Sequence, residues 1–234
     1  MKIVFTVDCE GMKFFDQGNP DYKSPVQKIK FGLNKLAAVK KYNIDGFPLL
    51  YEFSLNHKVP MTFMLLGEKF KPVQNPPPWF EFGYHTWSHK VLPDCSVSDL
   101  FKETKNMYGC KSFTAPMWKI GSLLDEELFV ERMLKDGYRI MTYRGTSASE
   151  LHSGPAFLMN GMKLVYVSAT TRGTMEDMKT VILSALDTAR LDMQFGHESI
   201  FVIATHDFVY KDTKALEFLW NNLSQFQWLK MEEL

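Results

Sequence analysis

Residues 81–92 read EFGYHTWSHKVL. Glu81 to Tyr84 have the character of a short strand, and HTWSH follows at once. It sets His85 and His89, two of the six histidines of the chain, four residues apart. If HTWSH turns as one helical turn, the two imidazoles share a face with Cβ atoms roughly 5–6 Å apart and can bind one divalent metal. The same spacing also arises by chance on exposed helices, so the pair has to be weighed with its surroundings.

On both sides of this stretch, apolar runs alternate with amphipathic ones. KIVFTV, PMTFMLL, EFGY, KSFTA, YRIMTY, KLVYV and SIFVIA are short, rich in Val, Ile, Phe and Tyr, and in several cases apolar on consecutive residues. That pattern suits strands covered on both faces. Between them lie helical spacings: Leu33, Leu36, Val39 and Tyr42; Leu124 with Leu128 and Val130 with Leu134; and Met178, Ile182, Ala185, Ala189 and Met193 within a helix from Thr174 to about Phe195. A further helix is predicted from Asp212 to about Phe226. Such alternation implies a parallel sheet with covering helices, and seven or so strands in one chain imply a closed or nearly closed α/β barrel. QNPPPW, residues 74–79, reads as a stiff surface connection. No linker, repeat or low-complexity tract divides the chain, so residues 1–234 are read as one domain.

Composition narrows the function. Lysine plus arginine equals aspartate plus glutamate, 27 each, so no basic surplus points to nucleic acid or an anionic membrane. No apolar run reaches the length of a membrane span. MKIVFTVDCEG reads as a first strand rather than a secretory leader, because its apolar stretch is short and no small-residue cleavage site follows. Cys9, Cys95 and Cys110 are odd in number and form no CxxC, which favours a reduced, cytoplasmic chain over a disulfide framework.

Two further stretches carry chemistry. In FTVDCEG, Asp8 and Glu10 stand at the carboxyl end of the first strand, where parallel α/β folds gather their functional groups. Two residues apart on a strand, they point the same way and can supply one ligand and one base. In FVIATHDF, His206 ends the last strongly apolar strand, and Asp207 either orients it or caps the helix that follows. Each has a plain structural reading when taken alone. Together, Asp8, Glu10, His85, His89 and His206 fall on one end of one parallel sheet. Two histidines and a carboxylate make an open metal site, and the remaining aspartate and histidine make an acid/base pair.

On these stretches the sequence resembles the polysaccharide deacetylase (NodB-homology) family, carbohydrate esterases that remove acyl groups from amino sugars. KVPMTFMLLGEKF resembles the family's second strand, EFGYHTWSHKVL its metal-binding histidine motif, DLFKETKNMYGCKSFTAPMW the helix and strand leading to its proline-containing motif, FVIATHDF its last motif, and FTVDCEG its first. The resemblance runs in order from residue 1 to about Phe208. It implies a distorted (β/α)7-type barrel and one divalent metal ion, zinc first, with cobalt or manganese as alternatives. It assigns Glu10, His85 and His89 as ligands, Asp8 as general base and His206 as general acid. It places Pro116, Met117 and Trp118 against the substrate, the Met117 amide holding the oxyanion and Trp118 lining the sugar groove.

Several positions depart from the family's pattern. Thr114 stands where the family usually has an arginine that pairs with the catalytic aspartate, leaving Arg144 and Arg172 as spatial candidates to replace it. No aspartate follows GYRIMTY where many members carry the one that orients the catalytic histidine, and Glu10 replaces the more usual aspartate ligand. The reading is therefore a deacetylase acting on an N-acyl amino sugar, on a small, nucleotide-linked or lipid-linked carrier, in assembly of a surface polysaccharide such as an O-antigen. The alternatives are a silent relative serving as a carbohydrate-binding or complex-forming module, and a cyclic-amide hydrolase of the allantoinase type.

Overall fold

The computed structural model describes residues 1–11, 46–118, 127–144, 157–159 and 161–234. The helix read over Leu33 to Tyr42 and the position of Leu124 lie outside these residues. The described chain forms a ten-stranded sheet: β1 (Lys2–Cys9), β2 (Met61–Leu65), β3 (Phe80–Tyr84), β4 (Ser112–Thr114), β5 (Ile140–Tyr143), β6 (Phe157–Met159), β7 (Met162–Tyr166), β8 (Ala169–Thr171), β9 (Ile200–His206) and β10 (Gln227–Leu229). The helices are α1 (Phe47–His57), α2 (Val97–Thr104), α3 (Glu127–Lys135), α4 (Met175–Phe195) and α5 (Lys214–Leu223). Every strand pairing is parallel except that of β6 with β7.

The pairings close this sheet on itself. β7 pairs with β5, and β8, only two residues further on, pairs with β9. The junction keeps both ladders going, because the Val167 N–H donates to the Tyr143 carbonyl (3.0 Å) and the Ser168 N–H to that of Val202 (2.9 Å). Residues 162–171 therefore act as one bent stave between β5 and β9. With β1, β2, β3, β4, β5 and β9 it completes a ring of seven, the distorted (β/α)7 barrel expected from the sequence. β6 lies outside the ring, and β10 sits beside the foot of β1.

Side-chain alternation along the staves sorts the core. On β1, Ile3, Phe5, Val7 and Cys9 pack outward with Leu50 of α1, Met178 of α4 and Leu216 of α5, while Val4 faces inward with Val165, Val202 and Met231. The period of two leaves Thr6 and Asp8 on the inward side. On β3, Tyr84 packs outward with Phe113, so Glu81 and Gly83 face in and the next inward position is His85. A Cβ at Gly83 would lie 2.3 Å from Met64 Sδ inside the ring, so any larger residue there would have to displace the Met64 side chain. At the foot of the ring Met231 fills the interior. There Glu81 accepts hydrogen bonds from Thr62 (2.9 Å), the Glu232 backbone N–H (2.9 Å) and Ser112.

The helices follow the predicted stripes with local exceptions. Met178, Ile182, Ala185 and Ala189 of α4 are buried, but Met193 is 80% exposed, and so is Leu128 of α3, at 80%. α4 opens on a Thr174 side chain that accepts the Asp177 N–H and closes on Gly196 in the left-handed region (φ 68°). The three cysteines are free thiols, and none of the described helices is long and apolar enough to cross a membrane.

Candidate active site

All five titratable residues singled out in the sequence meet at the carboxyl-terminal mouth of the barrel. The register of β1 against β9 pairs Asp8 directly with His206, so two strand ends deliver the acid and the imidazole side by side. Glu10, two residues beyond Asp8 on the same face, carries the centre of the cluster. Its Oε1 lies 3.0 Å from His85 Nε2, 3.0 Å from His89 Nε2 and 3.3 Å from His206 Nε2. Glu10, His85 and His89 each offer a ligand atom within 4.8 Å of the others, and so do Asp8, Glu10 and His206.

HTWSH is not the helical turn expected of it. The chain bends instead through two left-handed residues, Thr86 (φ 64°) and His89 (φ 67°). The bend still brings the two rings together, with centroids 4.9 Å apart. A β-branched threonine with positive φ is strained, so other contacts must hold the bend. Thr86 Oγ1 accepts the His89 N–H (3.0 Å). Buried Glu103 of α2 clamps the middle: its backbone carbonyl takes the Trp87 N–H (3.0 Å) and its carboxylate takes both the N–H (2.7 Å) and the hydroxyl (2.5 Å) of Ser88.

His85 is oriented from behind. Its Nδ1 donates to the backbone carbonyl of Thr114 (2.8 Å), which turns Nε2 toward Glu10 Oε1. Thr114 thus serves the site through its main chain, while its hydroxyl bonds that of Thr142 (2.6 Å). Asp207 neither orients His206 nor caps a helix through its side chain. Its Oδ1 accepts the N–H groups of Glu10 (3.1 Å) and Gly11 (2.9 Å), fastening the end of β1 that carries the two acids.

The cluster's electrostatics follow from burial and charge. Burial pushes the Glu10 carboxyl up, but the surrounding imidazoles, His89 foremost, outweigh it and hold it well below the usual carboxylate range. Burial raises Asp8, and His85 and His206 only partly offset this. Burial would lower His206, yet the Glu10 charge and hydrogen bond, with Asp8 beside it, lift it to about 9. Burial raises Asp207 to about 6, against the two backbone N–H bonds it accepts.

A metal fits this donor set. Three imidazole nitrogens converge on one carboxylate oxygen, more than that oxygen can satisfy. Meanwhile Asp8 Oδ1, Glu10 Oε2 and His89 Nδ1 are buried without a hydrogen-bond partner, and His89 Nε2, though 3.0 Å from Glu10 Oε1, is not aligned to bond it. Buried nitrogens and oxygens left over around one point are what a cation would occupy.

A cleft of ≈ 360 Å³ opens over the cluster, lined among the described residues by Asp8, Glu10, His89, Met117, Trp118, Arg144, Thr170, Thr171, Arg172 and His206. Met117 (φ 56°) and Trp118 (φ 53°) are both left-handed, an unusual pair that places them at its edge. Pro116 is buried beneath them. Arg144 and Arg172 reach the cleft but form no ion pair with Asp8. Sequence reading missed the Glu103 clamp, the Thr114 carbonyl and the Thr170–Thr171 wall. The first two act between residues remote in sequence or through main-chain atoms, and the third belongs to a three-residue strand too short to leave a period.

No family model matches the sequence, and no curated protein does. Solved structures do resemble its fold. A Mycobacterium smegmatis protein assigned to the polysaccharide deacetylases superposes with a TM-score of 0.60 at 13% identity, over 99% of this chain and 87% of that one. The 4-alpha-glucanotransferase of Thermococcus litoralis superposes with a TM-score of 0.56 at 10% identity, over 100% of this chain and 40% of that one. A Bordetella bronchiseptica protein, assigned to the polysaccharide deacetylases and to O-antigen biosynthesis, aligns at 13% identity over 88% of this chain and 71% of that one, with a TM-score of 0.44. The chain has the barrel fold of the NodB-type polysaccharide deacetylases. The similar fold of a 4-alpha-glucanotransferase means that the barrel alone does not fix the activity.

Proposed function

We propose that this protein is a metal-dependent hydrolase that removes the N-acyl group of an amino sugar. The observation that carries this reading is the convergence of His85, His89 and His206 on Glu10 Oε1, with Asp8 beside them at the mouth of the barrel. Glu10, His85 and His89 would hold one divalent cation, zinc by donor type, with cobalt or manganese also suited. Bound there, it would supply polarisation of the amide carbonyl, acidification of the attacking water and the positive charge that keeps Asp8 ionised.

The remaining steps belong to the chain. Asp8 accepts the proton of the attacking water. The Met117 N–H donates to the carbonyl oxygen as negative charge develops on it; the Trp118 N–H is already given to the Ala115 carbonyl (2.9 Å). His206, beside Asp8 at the end of β9, donates a proton to the amine as the C–N bond breaks. Trp118 offers an apolar face to the sugar ring. A carrier that is small, nucleotide-linked or lipid-linked, met in the cytoplasm during assembly of a surface polysaccharide such as an O-antigen, is the substrate setting we assign.

A second reading has its own support. Asp8 lacks the cationic partner usual in the family, since neither Arg144 nor Arg172 pairs with it among the described contacts. A silent module that binds carbohydrate without hydrolysing it would tolerate that loss. One experiment separates the two. Metal-loaded protein is offered acetylated chitooligosaccharides, peptidoglycan fragments and nucleotide-linked N-acyl sugars, and released acetate and formate are measured. Release from the nucleotide-linked sugars supports the proposal. Release from polymers alone refutes the small carrier, and release from none with metal bound favours the silent module.

A further inference from the structure

The chain has five arginines, and three of them are engaged. Arg132 pairs with Asp136 (3.1 Å), Arg190 with Asp187 (3.6 Å), and Arg139 donates to the carbonyls of Leu134 (2.9 Å) and Tyr138 (2.6 Å). The other two, Arg144 and Arg172, line the cleft. Among the described residues neither guanidinium has a carboxylate partner, although Asp8 and Glu10 line the same space. Those acids face the imidazoles instead.

The two arginines are placed by different parts of the barrel. Arg144 directly follows β5, and its guanidinium carbon lies 5.9 Å from the Trp118 ring centroid. Arg172 directly follows β8. Its backbone N–H is held by Asp177 Oδ2 (3.1 Å), and Gly173 beyond it bonds Thr171 Oγ1 (3.0 Å), so the first turn of α4 fixes where it leaves the strand. Two guanidinium groups with no carboxylate partner among the described residues, on two staves, share one cleft with the candidate cluster. The cleft of ≈ 360 Å³ is small for a ligand site, which typically spans roughly 300–1,000 Å³. Its volume suits one sugar-sized group, and both arginines are exposed where they line it.

We propose that Arg144 and Arg172 form an anion-binding rim, and that the substrate is an acidic derivative of an N-acyl amino sugar. The rim grips its phosphate or carboxylate oxygens while the amide reaches the cluster below. Guanidinium groups match the paired oxygens of both anions, so the shared chemistry is an oxyanion held by two arginine forks. A phosphate would come from a nucleotide or lipid diphosphate carrier, a carboxylate from a uronic acid. The zero net charge of the chain is silent on this, because the positive charge is local. The inference rests on the N-deacylase reading for the group that reacts, but its test reads binding.

Metal-loaded protein is titrated calorimetrically with pyrophosphate and with glucuronate. The proteins compared are wild type, Arg144→Gln, Arg172→Gln, the double Gln variant and the double Lys variant, with thermal melts confirming the fold of each. At least one probe should bind wild type, with affinity falling as salt is raised. Each single Gln change should weaken it roughly tenfold or more, and the double Lys variant should keep part of the affinity. Preference for pyrophosphate points to a diphosphate carrier, and preference for glucuronate to a uronate. Failure of both probes to bind wild type overturns the proposal. So does binding to the folded double Gln variant as tight as to wild type, since the anion would then sit on the metal. Absence of hydrolysis with arginine-dependent binding intact would remove the deacylase reading and leave the rim.

Discussion

The clamp on the histidine bend gives the sharpest test of how the fold prepares the site. Glu103 is 1% exposed, and its carboxylate takes the Ser88 N–H at 2.7 Å and the Ser88 hydroxyl at 2.5 Å. Hydrogen bonds to a charged acceptor contribute roughly 1.5–3 kcal/mol each, and part of that is offset by the desolvation of the carboxylate. Glu103→Ala should therefore lower unfolding stability by about 2–4 kcal/mol. The Trp87 N–H keeps its bond, because that goes to the Glu103 main chain. The bend also contains Thr86 and His89 in the left-handed region, which costs of order 1–2 kcal/mol per residue. Without the clamp the bend relaxes and His89 leaves its place, so zinc affinity should fall roughly 10–100-fold, as for other residues that orient ligands. Glu103→Gln retains one acceptor oxygen and should fall between. Urea unfolding of the metal-free proteins gives the first quantity, and competition with a chromogenic chelator gives the second. A Glu103→Ala protein of wild-type stability and wild-type zinc affinity would refute the reasoning. A loss of stability with zinc affinity unchanged would refute the link between clamp and ligand.

Two other outcomes follow from named contacts. His206→Ala should lower turnover on any accepted substrate by roughly 10²–10⁴-fold while zinc content stays at the wild-type level, and near-wild-type turnover would remove its role as acid. Burial holds the Glu81 carboxyl above its ordinary value at the foot of the barrel. Such a group adds most to stability below its unfolded value, when protonated, and loses that contribution as pH rises through the folded one. On acidification from neutrality, wild type should gain stability relative to Glu81→Gln in urea melts, and a gap that moves the other way would contradict the assignment.

Much of the barrel was legible because parallel staves buried on both faces leave unbroken apolar runs, and all seven predicted strands are present. The inward direction of Asp8 and His85 follows from strand alternation alone. Three elements left no such trace. β6, β8 and β10 have three residues each, too few to show a period, and the bent stave of residues 162–171 therefore read as one strand followed by nothing. The HTWSH bend was misread as helical because i, i+4 spacing is the ordinary way to bring two side chains together. Here two left-handed residues do it instead, and the contacts that hold them come from Glu103, more than ten residues away. The apolar stripes of α3 and α4 include Leu128 and Met193, both exposed, since periodicity marks a face and not how far the neighbouring layer reaches along it. The role of Thr114 was invisible because a backbone carbonyl has no residue type.

The claim on which the rest depends is that Glu10, His85 and His89 hold a metal. The most direct measurement is the zinc content of wild type, His85→Ala, His89→Ala and Glu10→Ala, each loaded with excess zinc, stripped of loose metal and assayed by elemental analysis beside a thermal melt that confirms folding. The expected result is one ion per chain in wild type and its loss in all three folded variants, with Asp8→Asn retaining it. Equal, near-zero zinc in wild type and His85→Ala, or full occupancy in both, would contradict the site. Loss in Asp8→Asn with retention in Glu10→Ala would exchange the two carboxylates' roles.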